Sequence, residues 1–416
     1  MDSFTEDLWA MVLARLPIKI STGFKLVCKQ WKSIVESPFF KNLFISAHQK
    51  SHSSTWSLMS RFYVDPEIVG HYQCDTWGLD RSLGSFIKSF LADKQQKYKY
   101  QQVSVEAYSD VGLILIHVAS SDRVIYVANP VSRECVEILI HDPLPTGFGT
   151  YEYSFLWQWG LVTRTVNGVL LGYKVILIDK LLRDTKLNCL IYSSETGLWS
   201  LETLHLPHSL FIRHPGYPIS LNGSLHWLGM STEHHKVVLS IDFYTTSTGS
   251  VQCRVTPFPD LEKITMFTRF CTPFQGFLMY MNIVSVTKVD GSLDNKLCVW
   301  RLMSEGYWQL MSETSPAFTL TDNFDYLPVT VNPFDAKTAY LWSMKQERLL
   351  SFDVYNGKLV IHNQCEGSGD GRTVIPVNDP RAMIFFKRLL ERVSVVGENY
   401  FIPFVLPQWL HRIPKR

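Results

Sequence analysis

The sequence has no two cysteines close enough to form a C-x-x-C pair. Its eight cysteines, at positions 28, 74, 135, 189, 253, 271, 298 and 365, are scattered along the chain. Zinc ribbons and dithiol redox sites need close spacing, and 416 residues are enough to hold a core without disulfide staples. The thiols are therefore expected to be free and buried, in a reducing compartment. An excess of charge of one sign is also missing. Forty Lys and Arg face 38 Asp and Glu, a formal net charge of +2, without the basic stripe of a nucleic-acid binder. The nearest approach is Lys94, Lys97 and Lys99 within KQQKYKYQQ, which reads as a solvated face. Long apolar runs are absent too: the most apolar stretch, 112–118, is far short of a membrane span. The opening MDSFTEDLW is acidic where a secretory signal is basic, and it lacks a continuous apolar segment. These absences predict a protein of cytosol or nucleus that partners neither nucleic acid nor membrane. On that expectation the glycosylation match at Asn222-Gly223-Ser224 is chance.

Catalytic signatures are equally scarce. No G-x-S-x-G, H-E-x-x-H or Walker loop occurs. The glycine-rich EGSGDG at 366–371 follows a polar stretch and opens no clear phosphate-binding helix, so it reads as a surface loop. His234 and His235 are adjacent, and neighbours on a strand point to opposite faces, which makes a poor chelate. The expectation is a chain with no catalytic residue, no metal and no cofactor of its own.

What the sequence does contain divides near residue 48. Apolar residues make up 46% of it and charged residues 19%, enough for a sizeable core and too little charge for disorder. Residues 1–48 read as three helices. The first begins near Ser3 or Thr5, where SFTE has capping-box spacing and Glu6 and Asp7 place negative charge in the first turn. Leu8, Trp9, Val12, Leu13 and Leu16 follow at helical spacing along one face, and Pro17 ends the helix. A second stretch carries Ile20, Phe24, Val27 and Cys28, and Gly23 weakens it by about 1 kcal/mol relative to alanine. A third holds Trp31, Ile34 and Val35 and stops before Pro38. So small a module is marginal alone. Its apolar residues lie on more than one face, so it needs a partner, either the rest of the chain or another protein. Residues 49–104 read as linker and first strand or strands of the next domain, with a strand within 54–64 and a short helix within 84–91.

From residue 105 to 416 the pattern is short apolar strands and turn residues. Asn167-Gly168, Asn222-Gly223, Asp290-Gly291 and Asn356-Gly357 mark hairpins, because a type I′ turn needs positive φ at both central positions. Five segments share one design of strand, small or polar turn, and strand: VIYVANPVSRECVEIL, CLIYSSETGLWSLETL, LSIDFYTTSTGSVQCRV, CVWRLMSEGYWQLMSE and LLSFDVYNGKLVIHN. Each is preceded by another strand or hairpin, and the period of about 50–65 residues is kelch-like. A single blade cannot bury both its faces, whereas a ring can, and it protects the strand edges. The fold class expected is a small all-α module followed by a large all-β domain, β-propeller-like with about six blades. The sixth would combine the strand within 54–64 with a strand over 400–406 and so close the ring.

The N-terminal stretch FTEDLWAMVLARLPIKISTGFKLVCKQWKSIVESPFF resembles the F-box. The acidic helix start Glu6-Asp7-Leu8, then Leu16-Pro17, then Val27-Cys28-Lys29-Gln30-Trp31 and Ser37-Pro38-Phe39-Phe40 occur in the family's order. The β region is similar to the associated domain of plant F-box proteins, kelch or propeller-like, at Asn129-Pro130, at Tyr192 to Ser200 (YSSETGLWS), at Leu221 to Leu228 (LNGSLHWL), at Val299-Trp300 and at Phe404 to Trp409 (FVLPQW). It departs from the family where a Cys-Asn-Gly-Leu-Leu-Leu stretch is common; here Ser109 to Leu115 reads SDVGLIL. The resemblance implies a non-catalytic substrate-recognition subunit of an SCF-type ubiquitin ligase. Its F-box would bind a Skp-type adaptor, and through it cullin and RING subunits, while its β domain would recruit an unknown protein substrate. By family position, Leu8, Leu13, Leu16, Pro17, Val27, Cys28 and Trp31 are the expected residues of adaptor docking or of the fold beneath it. Leu16 and Pro17 are expected in the interface, Trp31 in either role, and Cys28 as a small buried hydrophobe. The alternative is a non-ligase propeller binding module, a lectin or ligand receptor, with a degenerate F-box. Tyr151, Tyr153, Trp157 and Trp159 would either form a target-binding face or fill the spaces between blades.

Overall fold

The computed structural model describes residues 5–48, 56–60, 67–70, 77–79, 81–98, 102–119, 124–140, 158–166, 169–178, 182–211, 218–233, 235–244, 252–261, 264–265, 269, 271–287, 290–291, 293–315, 326–343, 348–355, 359–361, 401–407, 409 and 411–414. Several expectations fall outside them: Ser3, Cys74, Lys99, Tyr151, Tyr153, Trp157, Asn167-Gly168, His234, Asn356-Gly357, Cys365 and the loop 366–371.

Five helices are α1 (Glu6–Leu13), α2 (Ile18–Gly23), α3 (Lys29–Glu36), α4 (Pro38–His48) and α5 (Leu83–Lys97). The first four belong to the N-terminal module, one more than the three expected. Pro38 stops α3 but is the first residue of α4, a position where its missing N–H costs nothing and its fixed φ suits the helix. Ser37 joins the two helices, its Oγ donating to Ile34 O at 2.8 Å and accepting from Phe40 N at 3.1 Å. Thr5 occupies the N-cap of α1 without a side-chain cap hydrogen bond, and the expected capping box rests on Ser3, outside the described residues. The short helix expected within 84–91 runs over 15 residues, capped by Ser82 Oγ accepting from Ser85 N.

Blade 1 is Val103–Tyr108, Ile114–Val118, Val124–Asn129 and Glu134–Leu139. Blade 2 is Gln158–Val166, Val169–Ile178, Leu182–Ser193 and Leu198–Phe211. Blade 3 is Ile219–Leu221, Ser224–Ser231, Lys236–Asp242 and Gln252–Pro257, and its second strand also pairs with blade 2 at Leu210 and Phe211. Blade 4 is Cys271–Phe274, Phe277–Thr287, Leu293–Leu302 and Trp308–Thr314, with Ile264–Thr265 added on its second strand. Blade 5 is Tyr326–Asn332, Asp335–Ser343, Arg348–Asp353 and Leu359–Ile361. Blade 6 is made from both ends of the chain: Phe401–Val405 pairs antiparallel with Trp56–Ser60, which pairs with Glu67–Gly70.

Apolar side chains fill the spaces between successive blades. Leu115 and Val127 meet Leu161 and Val175 between blades 1 and 2. Ile176 and Ile191 meet Trp227 and Leu239 between blades 2 and 3. Val238 meets Tyr280 and Trp300 between blades 3 and 4, and Met281 meets Leu341 and Phe352 between blades 4 and 5. Trp56 contacts Tyr340 at 5.7 Å and Phe404 contacts Tyr108 at 5.3 Å, which closes the ring through blade 6. Burying one such side chain contributes about 1.5–3 kcal/mol. Trp159 is among these fillers, 4% exposed and 5.6 Å from the His117 ring. It is therefore core, and of its two expected roles the target-binding face is the one overturned.

The turns between first and second strands hold one end of the ring together. Asn222 and Gly223 have φ of 48° and 79°, as the hairpin signal predicts, and a Cβ on Gly223 would lie 2.9 Å from the Tyr244 ring. Gln275-Gly276 makes a similar turn, with φ of 43° and 82°, without an Asn or Asp to announce it. Asn222 Nδ2 donates to Gly276 O at 2.9 Å, while Asp110 accepts from Asn222 N at 2.8 Å and from Thr163 Oγ1 at 2.9 Å. Blades 1, 3 and 4 are thus joined turn to turn, and blade 2 joins them through Thr163 of its first strand. Burial pushes the Asp110 carboxyl up, and those two hydrogen bonds oppose the shift.

Candidate functional site

Four short helices and a 3₁₀ turn at Phe24–Leu26 form a module with two apolar sides. On the inner side Ala10, Leu13, Ala14, Ile18, Ile34, Val35, Phe40 and Phe44 share one buried cluster with propeller residues. Local chemistry fixes the path. Ser21 Oγ, fully buried, donates to Leu13 O at 2.9 Å, a second partner for a carbonyl at the end of α1 that also accepts from Leu16 N at 3.1 Å. Pro17 opens α2 in extended conformation. Trp31 packs its ring 5.2 Å from Trp9 and 4.7 Å from Phe24.

On the outer side Leu8, Met11, Val12, Ile20, Leu26, Val27 and Phe39 are exposed, Leu26 at 92% and Val27 at 61%. In α1 the outward residues 8, 11 and 12 are spaced i, i+3, i+4, which makes a second apolar stripe. The single face expected for Leu8, Trp9, Val12, Leu13 and Leu16 is therefore corrected: Leu8 and Val12 point outward while Leu13 is 1% exposed. The expected docking residues separate accordingly. Leu8, Val27 and Cys28 lie on the outside, Leu13 is enclosed, and Leu16 and Trp31 pack half-buried against the shared cluster. Pro17, also half-buried, faces Gly78, where an added Cβ would fall 2.7 Å from its ring. Cys28 is exposed, not the buried hydrophobe expected, because it caps α3: its Sγ accepts from Trp31 N at 3.4 Å. Met11 and Leu26 were not singled out from the sequence, and Ile20 and Phe39 were read only as helix and motif residues, not as docking residues. The signal available was the second i, i+3, i+4 stripe in α1.

The inner side is seated on the seam between blades 6 and 1. Trp77 Nε1 donates to Pro407 O at 2.8 Å, and Lys19 N donates to Trp77 O at 3.3 Å. Residues 409 and 411 then lie beside α4. The Trp409 ring lies 5.0 Å from Phe44 and 6.0 Å from Phe40, His411 is 7% exposed, and Ile413 N donates to Glu134 Oε2 at 3.3 Å. Burial, and secondarily Lys41, pushes His411 down to about 4. Helix α5 braces blade 1 from its flank. Lys94 Nζ sits 3.9 Å over the Tyr126 ring, and Lys97 bonds Tyr126 Oη and Glu137. Lys94 is thus half-buried against a blade, whereas Lys97, with its side chain 56% exposed, keeps the solvated position expected of it.

Groups with catalytic potential are sparse among the described residues, where no three His, Cys, Asp or Glu side chains gather to hold a metal ion. Burial pushes the Cys189 and Cys271 thiols well up and Cys253 to about 11, which leaves them protonated and unreactive. His235 sits 3.6 Å from Glu233 at an exposed position.

Two family models match this chain: the F-box domain over residues 1–43 and the F-box protein At3g26010-like β-propeller over residues 54–415. The F-box protein At3g28330 of Arabidopsis thaliana is 49% identical over 415 residues, covering 100% of this chain and 96% of that protein. The F-box/kelch-repeat protein At4g22430 of the same plant is 34% identical over 84% of this chain and 78% of its own length. A third Arabidopsis relative, the F-box protein At3g26010, is 30% identical over 99% of this chain and 90% of its own. With apolar residues of its helical module turned outward and six blades among the described residues behind it, the chain belongs to the F-box proteins whose C-terminal domain is the At3g26010-like β-propeller.

Proposed function

We propose that this protein is the substrate-recognition subunit of an SCF-type ubiquitin ligase, with the outer helical face docking a Skp-type adaptor and the propeller holding a target protein. The observation that carries this reading is the exposure of Leu8, Met11, Val12, Ile20, Leu26 and Val27 on a module whose other apolar residues are already buried in the chain. Apolar side chains gathered on an otherwise satisfied module mark a docking surface. The chain itself performs no chemistry in this reading. It supplies proximity, raising the effective concentration of target lysines near the conjugating enzyme, in cytosol or nucleus.

The test is co-expression with a Skp-type adaptor followed by size-exclusion chromatography, beside a Leu26→Glu, Val27→Glu double variant. Both side chains are exposed, so the variant keeps its melting temperature. Docking should weaken by more than about 100-fold, since two apolar contacts of about 1.5–3 kcal/mol each are replaced by charge. A one-to-one complex for the wild type that the variant loses is the expected result. A wild type that elutes alone overturns the reading and leaves a propeller binding module with a degenerate F-box, and a variant that still co-elutes overturns docking through the face that bears Leu26 and Val27.

A further inference from the structure

The space between blades 3 and 4 is patterned unlike the other inter-blade spaces. In blade 3, cross-strand register places Ser224, Asp242 and Gln252 in one row and His226, Ser240 and Arg254 in the next. Both rows face blade 4. The first has polar counterparts facing the next blade elsewhere, Asn129 with Glu134 in blade 1 and Lys174 with Ser193 in blade 2, whereas the second stands where Ile176 and Ile191 pair in blade 2. The third row, Leu228 with Val238, returns to the apolar pattern. Opposite the two polar rows stand Leu278, Leu302 and Met303 of blade 4, with Phe277 at the mouth. The rows therefore line a recess of about 460 Å³, within the range of small-ligand sites. His226 and Ser240, half-buried on the inner strands of the second row, forfeit the apolar burial of the neighbouring seams, while Gln252 and Arg254 lie exposed on the outer strand; the former is a local conflict with the fold's own pattern of the kind that marks a binding site.

The chemistry of the walls narrows the ligand. Asp242 and Arg254 balance in charge, and burial pushes His226 down to about 4, so its imidazole is neutral at physiological pH. Its Nδ1 lies 2.8 Å from Ser240 Oγ. The Arg254 stem lies over Gly306, and its guanidinium donates to Ser304 O, which draws that charge to the rim. The polar wall mixes donors and acceptors from hydroxyl, amide, imidazole and carboxylate groups. It spans two strand spacings, about 10 Å, by two rows. That footprint exceeds one side-chain head group and suits a ring with hydroxyls around its edge, each able to donate and accept. The apolar wall suits the C–H face of the same ring.

We propose that this recess binds a neutral sugar ring, free or as one unit of a glycan carried by a target. The site goes beyond adaptor docking and stands or falls separately from it. In a six-bladed ring the seam between blades 3 and 4 lies opposite the seam between blades 6 and 1, where the helical module sits.

The test uses the full chain and a panel of methyl glycosides of neutral pentoses, hexoses and N-acetylhexosamines, with methyl glucuronide and glucosamine as charged comparators. Binding is read by saturation-transfer NMR and titration. At least one neutral glycoside should saturate. Its affinity should fall about tenfold in Asp242→Asn, which keeps an oxygen to accept the 2.8 Å bond from Tyr244 N, and be lost in Leu302→Trp, which fills the recess from the apolar side. Both variants should still capture the adaptor, so failure of docking and failure of this site are distinguishable. No saturable glycoside, a preference for a charged comparator, or binding unchanged in both variants each overturns the proposal.

Discussion

His411 is a small residue-scale lever on the seam between modules. Its folded pKa of about 4 lies below the ordinary 6.5, mainly because it is buried. The unfolded chain therefore takes up that proton first as pH falls. The contribution is fully present above about pH 6.5 and is lost progressively toward pH 4, by at most about 3 kcal/mol. Thermal midpoints of the wild type should fall over that window, and His411→Gln should flatten the fall, leaving the part due to His226, which burial shifts to the same value. An unchanged slope would mean that His411 is solvated. At this scale the sequence was only partly legible. The ordered motif located the helical module, but Leu13 and Leu26 are both leucines near helix ends, one enclosed and the other 92% exposed. What separates them is which side of the module rests on the propeller, and no spacing within residues 5–48 encodes that. Cys28 was misplaced for a related reason, since an N-cap role depends on where α3 starts.

Single elements were more readable, because turn chemistry is local. Asn129, Asp242 and Asp353 each accept a backbone N–H two residues on, so the turn after the third strand repeats in blades 1, 3 and 5. Blades 2 and 4 repeat a different device. Gly197 and Gly306 both adopt positive φ, and the tryptophan two residues later reaches the preceding blade: Trp199 Nε1 donates to Leu139 O at 2.8 Å, and Trp308 Nε1 to Pro257 O at 2.9 Å. Trp199→Phe and Trp308→Phe should each cost about 1 kcal/mol in urea unfolding, and the two should add, since they lie on different blades. Blade 1 has Arg133 at the glycine position, with φ of 59°, held by Asp93 and by Ser89 Oγ of α5. The repeated segments share these turns and little else, which explains why the repeat was visible but degenerate. The bridge from Leu210 and Phe211 into blade 3 was not foreseen, because it depends on the bend of a 14-residue strand.

The whole molecule is a ring closed by pairing residues some 340 positions apart, with a helical module clamped over the closure. The closing strands were foreseeable because each end of the sequence offered an apolar strand without a local partner. The clamp was not, since Trp77 with Pro407 and Phe44 with Trp409 are contacts that only the finished ring creates. Trp409→Ala should test the clamp. Removing that ring from between α4 and the blades costs about 3–5 kcal/mol locally. Limited proteolysis should then cut within residues 5–48 while the propeller stays resistant, and adaptor capture should weaken although no outer residue has changed. Equal protection of both modules would show that α5 and Trp77 suffice to hold the helices.

The strand Phe401–Val405 and the segment behind it have a consequence for biosynthesis. The helical module is translated first, yet its seat is not complete until about 350 further residues have been added, which at about 5–20 residues per second takes roughly 20–70 s. During that interval the inner faces of α1 and α4 have no propeller to cover them. A nascent chain, or one interrupted before residue 401, is therefore a natural client for chaperones, and only with residues 401–405 in place does the helical module rest on a fixed base.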